Sequence, residues 1–293
     1  MISKTFKQIR VNKGFSQARI CQGIITPQAL SLFECGKTRL NIEDFFKLLE
    51  KMNTSIDEFN FYYESNNNLT IKSQALFFSE FNLALANKSA FSIDRLITEE
   101  QYYFKTTSNV RHFHNLCLLK LLKEHLSTGE IDSFYLSEIY NYLCKVEEWG
   151  YYETCLFTNV LFCIPIKELN SLINYSIRRA KFLACHIPYK DIYISLLSNI
   201  IFRLLNINEC LLIQPLFNHV YSLLEQSNNI FEYNYVNFLK GLWLITTGND
   251  QTGEKICNDS IDILNHFGKY ELAETYINNK EKLTARVKQE NNN

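Results

Sequence analysis

Apolar residues recur three and four positions apart from the start of the chain, the spacing of a helix with one buried face. Ile2, Phe6 and Ile9 form such a stripe and predict a helix over Ile2–Val11. Gly14 interrupts it, and Ser16 can accept a hydrogen bond from the free N–H groups of a short second helix, Gln17–Gln22, that ends at Gly23. Thr26 followed by Pro27 starts a third helix, because proline's missing N–H would have no partner at the first helical position anyway. That helix runs to about Glu34 and stops at Gly36, with Ile25, Leu30 and Phe33 as its buried face. Asn41 caps a fourth helix carrying Ile42, Phe45, Phe46, Leu48 and Leu49, and a fifth begins near Ser55 and includes Phe59. Five short helices in about 60 residues, with a tight turn between the second and third, predict a helix-turn-helix unit.

Three asparagines, Asn66–Asn68, interrupt the pattern. Beyond them helical segments start near residues 70, 89, 109, 132, 151, 166, 188, 208, 230, 250 and 269. Alternate starts are separated by 39, 42, 37, 42 and 39 residues, the spacing of stacked helix pairs in a tetratricopeptide-like solenoid. The chain is therefore expected to be all-α. A helix-turn-helix domain over 1–65 is followed by a linker over 66–69 and a helical-repeat superhelix over 70–293. The charged segment Asn278–Glu290 suits a terminal cap. Composition agrees, since 9 Gly and 4 Pro in 293 residues leave few breakers.

A net charge of -1 argues against a nucleic-acid ligand until its distribution is considered. Residues 1–40 hold Lys4, Lys7, Arg10, Lys13, Arg19, Lys37 and Arg39 against Glu34 alone, whereas residues 41–65 hold two cations against six acids. A basic tip on an acidic chain is the electrostatic footprint of a small DNA reader. In such a unit the third helix enters the major groove. Thr26, Gln28, Ser31 and Leu32 are the candidate base contacts, Gln28 as a bidentate partner for adenine. Arg10, Lys13, Gln17, Lys37 and Arg39 flank it as candidate phosphate contacts.

Nine cysteines without a spacing framework read as reduced thiols of a cytoplasmic protein. No segment has the ~18–20 apolar residues that a membrane span needs, and no N-terminal signal segment is evident. No zinc-ligand spacing, phosphate-binding glycine loop or nucleophile motif occurs, so neither a metal, a cofactor nor an enzymatic activity is expected.

The strings Phe6-Lys7-Gln8-Ile9-Arg10, Lys13-Gly14-Phe15-Ser16, Ile25 through Gly36 and Ile56-Asp57-Glu58-Phe59 resemble the N-terminal domain of the Rgg/GadR/MutR regulators. Phe238 through Trp243, with the following Gly248-Asn249-Asp250, is similar to that family's late repeat. The resemblance implies a cytosolic, homodimeric transcription regulator. It would bind a pseudo-palindromic double-stranded operator through its helix-turn-helix and a short hydrophobic peptide pheromone through its repeats. The chain departs from the family at Leu32 and Cys35, where arginine is usual. Leu32 could instead touch a thymine methyl. Cys35 is an ordinary reduced thiol or, on a sharper reading, a redox handle or cross-dimer contact. The departures leave two alternatives open: a repeat scaffold for a protein partner with a vestigial DNA domain, and a regulator without a peptide ligand.

A groove that grips peptide backbone needs side chains that donate and accept at once, and Asn does both. Asn is abundant, and AT-rich codon usage accounts for most of the surplus. Asn174, Asn199, Asn206, Asn234 and Asn237 nevertheless fall inside predicted helices, where Asn has no intrinsic advantage. With Phe202 and Tyr233 as apolar contacts, and Arg178 or Arg179 as a partner for a peptide carboxylate, they form the candidate peptide site.

Overall fold

A computed structural model describes residues 2–67, 74–127, 129, 131–185, 187–209, 212–225 and 229–291. Every regular element among them is helical, in two compact units, 1–73 and 74–293.

The first unit contains α1 (Ile2–Asn12), α2 (Gln17–Cys21), α3 (Pro27–Glu34), α4 (Ile42–Lys51) and α5 (Ile56–Asn67). The expected caps form. Ser16 Oγ accepts from Arg19 N–H at 3.2 Å, Thr26 Oγ1 from Ala29 N–H at 3.2 Å, and Asn41 Oδ1 from Glu43 N–H at 3.0 Å. Gly36 ends α3 with a φ of +74°, which lets Lys37 N–H reach back to Leu32 C=O at 2.9 Å. Phe6, Ile9, Ile20, Leu30, Phe33, Phe45, Leu48 and Phe59 fill the core, with the Phe6 ring edge-on to Phe33 and Phe45 edge-on to Phe59. Ile42 and Phe46, counted on the apolar stripe of the fourth helix, point to solvent instead. Asn66 and Asn67, assigned above to the linker, form the last turn of α5; residues 68 and 69 lie outside the described residues.

The second unit runs through α6 (Gln74–Ala86), α7 (Ala90–Thr107), α8 (Val110–Ser127), α9 (Ser133–Lys145), α10 (Tyr151–Val160), α11 (Ile166–Ala180), α12 (Ile187–Asn206), α13 (Ile213–Leu224), α14 (Ile230–Thr246), α15 (Asp250–His266) and α16 (Tyr270–Asn291). Short 3-10 turns extend α10 over Leu161–Cys163 and α11 over Lys181–Cys185. The even-numbered helices pack on one another in order, α6 on α8 through to α14 on α16. The odd-numbered helices lie between them in a second layer, α9 against α8 and α10, α11 against α10 and α12, and α15 against α14 and α16. Two stacked layers bury one continuous core from Phe77 to Leu283, which no single helix pair could enclose. The starts expected near 70 and 208 are helices that begin at Gln74 and Ile213; residues 68–73 and 210–211 lie outside the described residues.

The late-repeat string has a packing reason. A Cβ on Gly253 would lie 2.7 Å from Gly241 O and 2.9 Å from Ile245 N, so only glycine lets α14 and α15 approach this closely.

Candidate functional site

In the first unit, α2, the turn after it and α3 decide which side chains face outward. Leu30 and Phe33 anchor α3 in the core, and that leaves Thr26, Gln28 and Leu32 exposed, with Ser31 half-buried. Thr26 uses one hydroxyl lone pair on Ala29 N–H and keeps its O–H and a second lone pair for a ligand. Lys37 and Arg39 are exposed just past the C-terminus of α3, and no described residue pairs with either. Cys35, the residue that follows α3, is exposed as well.

Three of the expected phosphate contacts have other partners. Arg10 is 8% exposed and forks onto Glu34, Nε to Oε1 at 2.6 Å and Nη2 to Oε2 at 2.8 Å, while Nη1 donates to Phe15 C=O at 2.6 Å. Its guanidinium is a buried tie between α1 and α3. Gln17 donates to the same Glu34 carboxylate at 2.7 Å. Lys13 Nζ is held by Met52 C=O, Asn53 C=O, Thr54 Oγ1 and Glu58, where it neutralises the C-terminal end of α4. The basic character available to a polyanion therefore rests on Lys37, Arg39 and their neighbours, and Arg10 is corrected to a structural role.

In the second unit a cleft of about 370 Å³ opens across the even layer. Its lining comes from α6 (Asn82, Leu85), α8 (His125), α10 and its 3-10 extension (Thr158, Asn159, Leu161, Phe162) and α12 (Asn199, Phe202, Arg203, Asn206). Even-numbered helices and the 3-10 extension of α10 supply the whole of its lining. Asn199, Phe202 and Asn206 recur on α12 at helical spacing and meet here as the sequence expectation grouped them. Asn82, Asn199 and Asn206 make no side-chain hydrogen bond to another described residue. Asn159 donates Nδ2–H to Cys155 C=O at 2.8 Å and keeps its carbonyl oxygen for a ligand. Leu85, Leu161, Phe162 and Phe202 supply apolar wall. Arg286 from α16 donates to the carbonyls of Leu205 and Asn206, holding the last turn of α12 in place.

The other expected peptide contacts lie elsewhere. Asn174, Arg178 and Arg179 sit on α11, in the odd layer. Arg179 stacks on the Tyr175 ring at 3.5 Å and donates to the Leu143 and Cys144 carbonyls, capping α9. Arg178 and Arg179 line a surface depression with Glu147 and Glu148. Asn234 is buried, donating to Ser260 C=O at 3.0 Å across to α15. Asn237 accepts from Tyr221 O–H at 2.8 Å, and Tyr233 lies against the same Tyr221 ring, so both face α13. Helical spacing alone does not say which face of a helix opens on the cleft: Asn234, Asn237 and Tyr233 turn to α15 and α13, while Asn174 and Arg178 are exposed on α11 away from it. The expectation missed Asn82, Asn159, His125 and Arg203. Their signal was present only weakly, as a cation and amides inside otherwise apolar helices.

The two histidines at 112 and 114 are structural. His112 Nδ1 lies 2.6 Å from Glu100 Oε2, and His114 Nδ1 lies 2.7 Å from Tyr152 Oη. Burial holds His114 neutral, pushing its pKa down to about 4.

The helix-turn-helix family profile matches residues 6–59. The C-terminal domain of the HTH-type transcriptional regulator Rgg matches residues 94–278, well over half of the chain. The chain belongs to the Rgg family of transcriptional regulators. Solved structures share its fold at low identity. A transcriptional regulator from Listeria monocytogenes superposes with a TM-score of 0.81 at 18% identity, covering 99% of this chain and 98% of that one. The SHP pheromone receptor Rgg2 of Streptococcus dysgalactiae gives 0.76 at 18% identity, covering 96% and 99%. PrgX in complex with cCF10 gives 0.69 at 17% identity, covering 97% and 92%. This Rgg-family chain is thus a transcription regulator with a helix-turn-helix domain, and its repeat domain carries an apolar-walled cleft. No described helix is long and apolar enough to cross a membrane.

Proposed function

We propose that this chain is a cytoplasmic transcription regulator that works as a homodimer and is switched by a short peptide held in the cleft of its even layer. The observation that carries the reading is the lining of that cleft. Four asparagines from α6, α10 and α12 surround apolar wall, and three of them have no side-chain partner within the described protein. Unpaired amides beside apolar surface are what an extended backbone needs, because its own N–H and C=O groups must be satisfied once water is displaced. The related folds support the reading, since one carries the name of a pheromone receptor and another was solved with cCF10.

On DNA, Gln28 would read a base edge with Thr26, Ser31 and Leu32 beside it, and Lys37 and Arg39 would hold phosphates. A dimer would place two such helices on half-sites one helical turn, or a multiple of it, apart. The peptide acts only by favouring one arrangement of the DNA domains over another, so it must bind one arrangement more tightly. Catalysis has no part in this scheme.

The test uses peptides encoded by short reading frames beside the gene, with operator binding of the full-length protein as readout. A peptide that shifts operator affinity in the wild type and fails to do so in Asn199→Ala/Asn206→Ala supports the reading. Operator binding that ignores every peptide, or a response that survives the double substitution, rejects it.

A further inference from the structure

One group in the cleft is not explained by a backbone ligand. Arg203, on α12 between Phe202 and the last turn, is a half-buried cation on the cleft wall. Its Nη2 donates to Ile164 C=O at 3.2 Å, and its buried Nε has no hydrogen-bond partner. None of the residues lining the cleft is an Asp or Glu, and no described carboxylate lies within ion-pair distance of the guanidinium. Compare three other buried or half-buried arginines. Arg10 forks onto Glu34, Arg179 caps α9 and stacks on Tyr175, and Arg286 caps α12. Arg203 is the one of these four whose recess has no carboxylate on its wall; Arg179, which spends only Nη1 on carbonyls, lines its depression beside Glu147 and Glu148. Burial also lowers its pKa from the usual guanidinium range, because withdrawal from water disfavours the charged form.

We propose that Arg203 is the cleft's anion reader and that it pairs with a carboxylate of the bound peptide, most simply the free carboxylate at its C-terminus. The proposal rests on the peptide reading above and specifies the end by which the ligand is held. An arginine presents parallel N–H donors in a planar fork that matches a carboxylate, and partial withdrawal from water strengthens that pair. A free carboxylate supplies the missing counter-ion through the Nη donors that Ile164 C=O does not use. The unpaired amides of Asn199 and Asn206, on α12 on either side of Arg203, are left for the last peptide groups of the chain. A side-chain carboxylate from Asp or Glu has the same chemistry, and the experiment separates the two sources.

The probe is an arrayed library of apolar octapeptides in three forms: free C-terminal acid, C-terminal amide, and C-terminal amide with one internal glutamate. Full-length wild type, Arg203→Gln and Arg203→Lys are applied to it. Gln keeps a donor for Ile164 C=O without the charge, Lys keeps the charge without the fork, and thermal unfolding followed by circular dichroism verifies that each variant folds. The expected result is that free acids bind, that amidation weakens binding roughly 10- to 100-fold, and that Arg203→Gln abolishes the difference between acid and amide. Arg203→Lys should restore part of the preference for the acid. Recovery of binding by the internal glutamate in an amidated peptide, again lost in Arg203→Gln, assigns the carboxylate to a side chain and keeps the role of Arg203. Equal binding of acids and amides by the wild type, or a preference unchanged in Arg203→Gln, overturns the proposal and leaves the peptide reading standing. If no peptide binds in any form, the peptide reading falls and this proposal falls with it.

Discussion

The Arg10–Glu34 tie makes a prediction that separates structure from DNA contact. In Glu34→Ala the Arg10 guanidinium, 8% exposed, loses both of its carboxylate bonds at 2.6 and 2.8 Å, and Gln17 loses its acceptor. Breaking one side of a buried pair costs about 3–5 kcal/mol, because the surviving charge stays buried without a partner. A unit of this size rarely has more than about 3–5 kcal/mol of its own stability. Glu34→Ala should therefore unfold the DNA-binding unit while the repeat domain, which has a separate core, stays folded. Arg10→Met/Glu34→Leu replaces the pair with apolar side chains and should recover most of the loss. Two measurements decide the matter. Hydrogen exchange in α1 and α3 should lose protection in Glu34→Ala and regain it in the double variant. Operator affinity measured against salt should then show a slope unchanged from the wild type, because Arg10 never met a phosphate. A folded Glu34→Ala, together with a double variant whose log–log salt slope is shallower by about 0.9, would refute the reasoning and return Arg10 to the DNA backbone.

Other outcomes follow from single contacts. Lys37→Ala and Arg39→Ala should each flatten the salt slope by about 0.9 and leave sequence preference alone, as binding titrations at several salt concentrations would reveal. Gln28→Ala should cost roughly 1–3 kcal/mol of discrimination at one base position, and an unchanged specificity profile counts against that role. Gly253→Ala forces a Cβ to within 2.7 Å of Gly241 O, an overpacking that costs about 1–3 kcal/mol and exceeds the helix-propensity gain of up to ~1 kcal/mol. Thermal denaturation should show a lower Tm, and an unchanged or raised Tm sinks the argument. His114 has a pKa near 4 when folded against about 6.5 when unfolded, so the unfolded chain takes up its proton first on acidification. Its contribution to stability is whole above pH ~6.5 and is lost as pH falls toward 4, at about 1.4 kcal/mol per unit. Urea unfolding at pH 7 and about 4.5 should show a smaller pH difference in His114→Gln than in the wild type.

Several features were readable from the chain itself because their causes are local. A cap, a proline at the first helical turn or a glycine with positive φ acts within four residues, so α2, α3 and α4 begin where Ser16, Thr26 and Asn41 place them. The all-helical repeat was likewise legible, since the spacing of starts follows from helix and turn lengths alone. Exposure of Gln28 and Leu32 followed from the burial of Leu30 and Phe33 on the other face of α3.

What the chain alone left undecided were the partners of its long polar side chains, since these lie far off in sequence. Arg10 carries a charge that suits phosphate equally well until folding places Glu34, 24 residues on, beside it. Arg179 could serve a ligand until Tyr175 and the end of α9 occupy it. Asn199, Asn234 and Asn237 are alike in residue type and in their place within helices. Only the stacking of layers turns the first into the cleft and gives the others to α15 and α13. The cleft joins residues 82 to 206 and leaves Arg203 without an acid. Helical periodicity says which residues share a face, but the neighbour that covers a face is chosen by packing across the whole repeat domain. Local residue order sets where the helices begin, end and repeat; packing between distant helices sets which polar groups are satisfied inside the protein and which are left for a ligand.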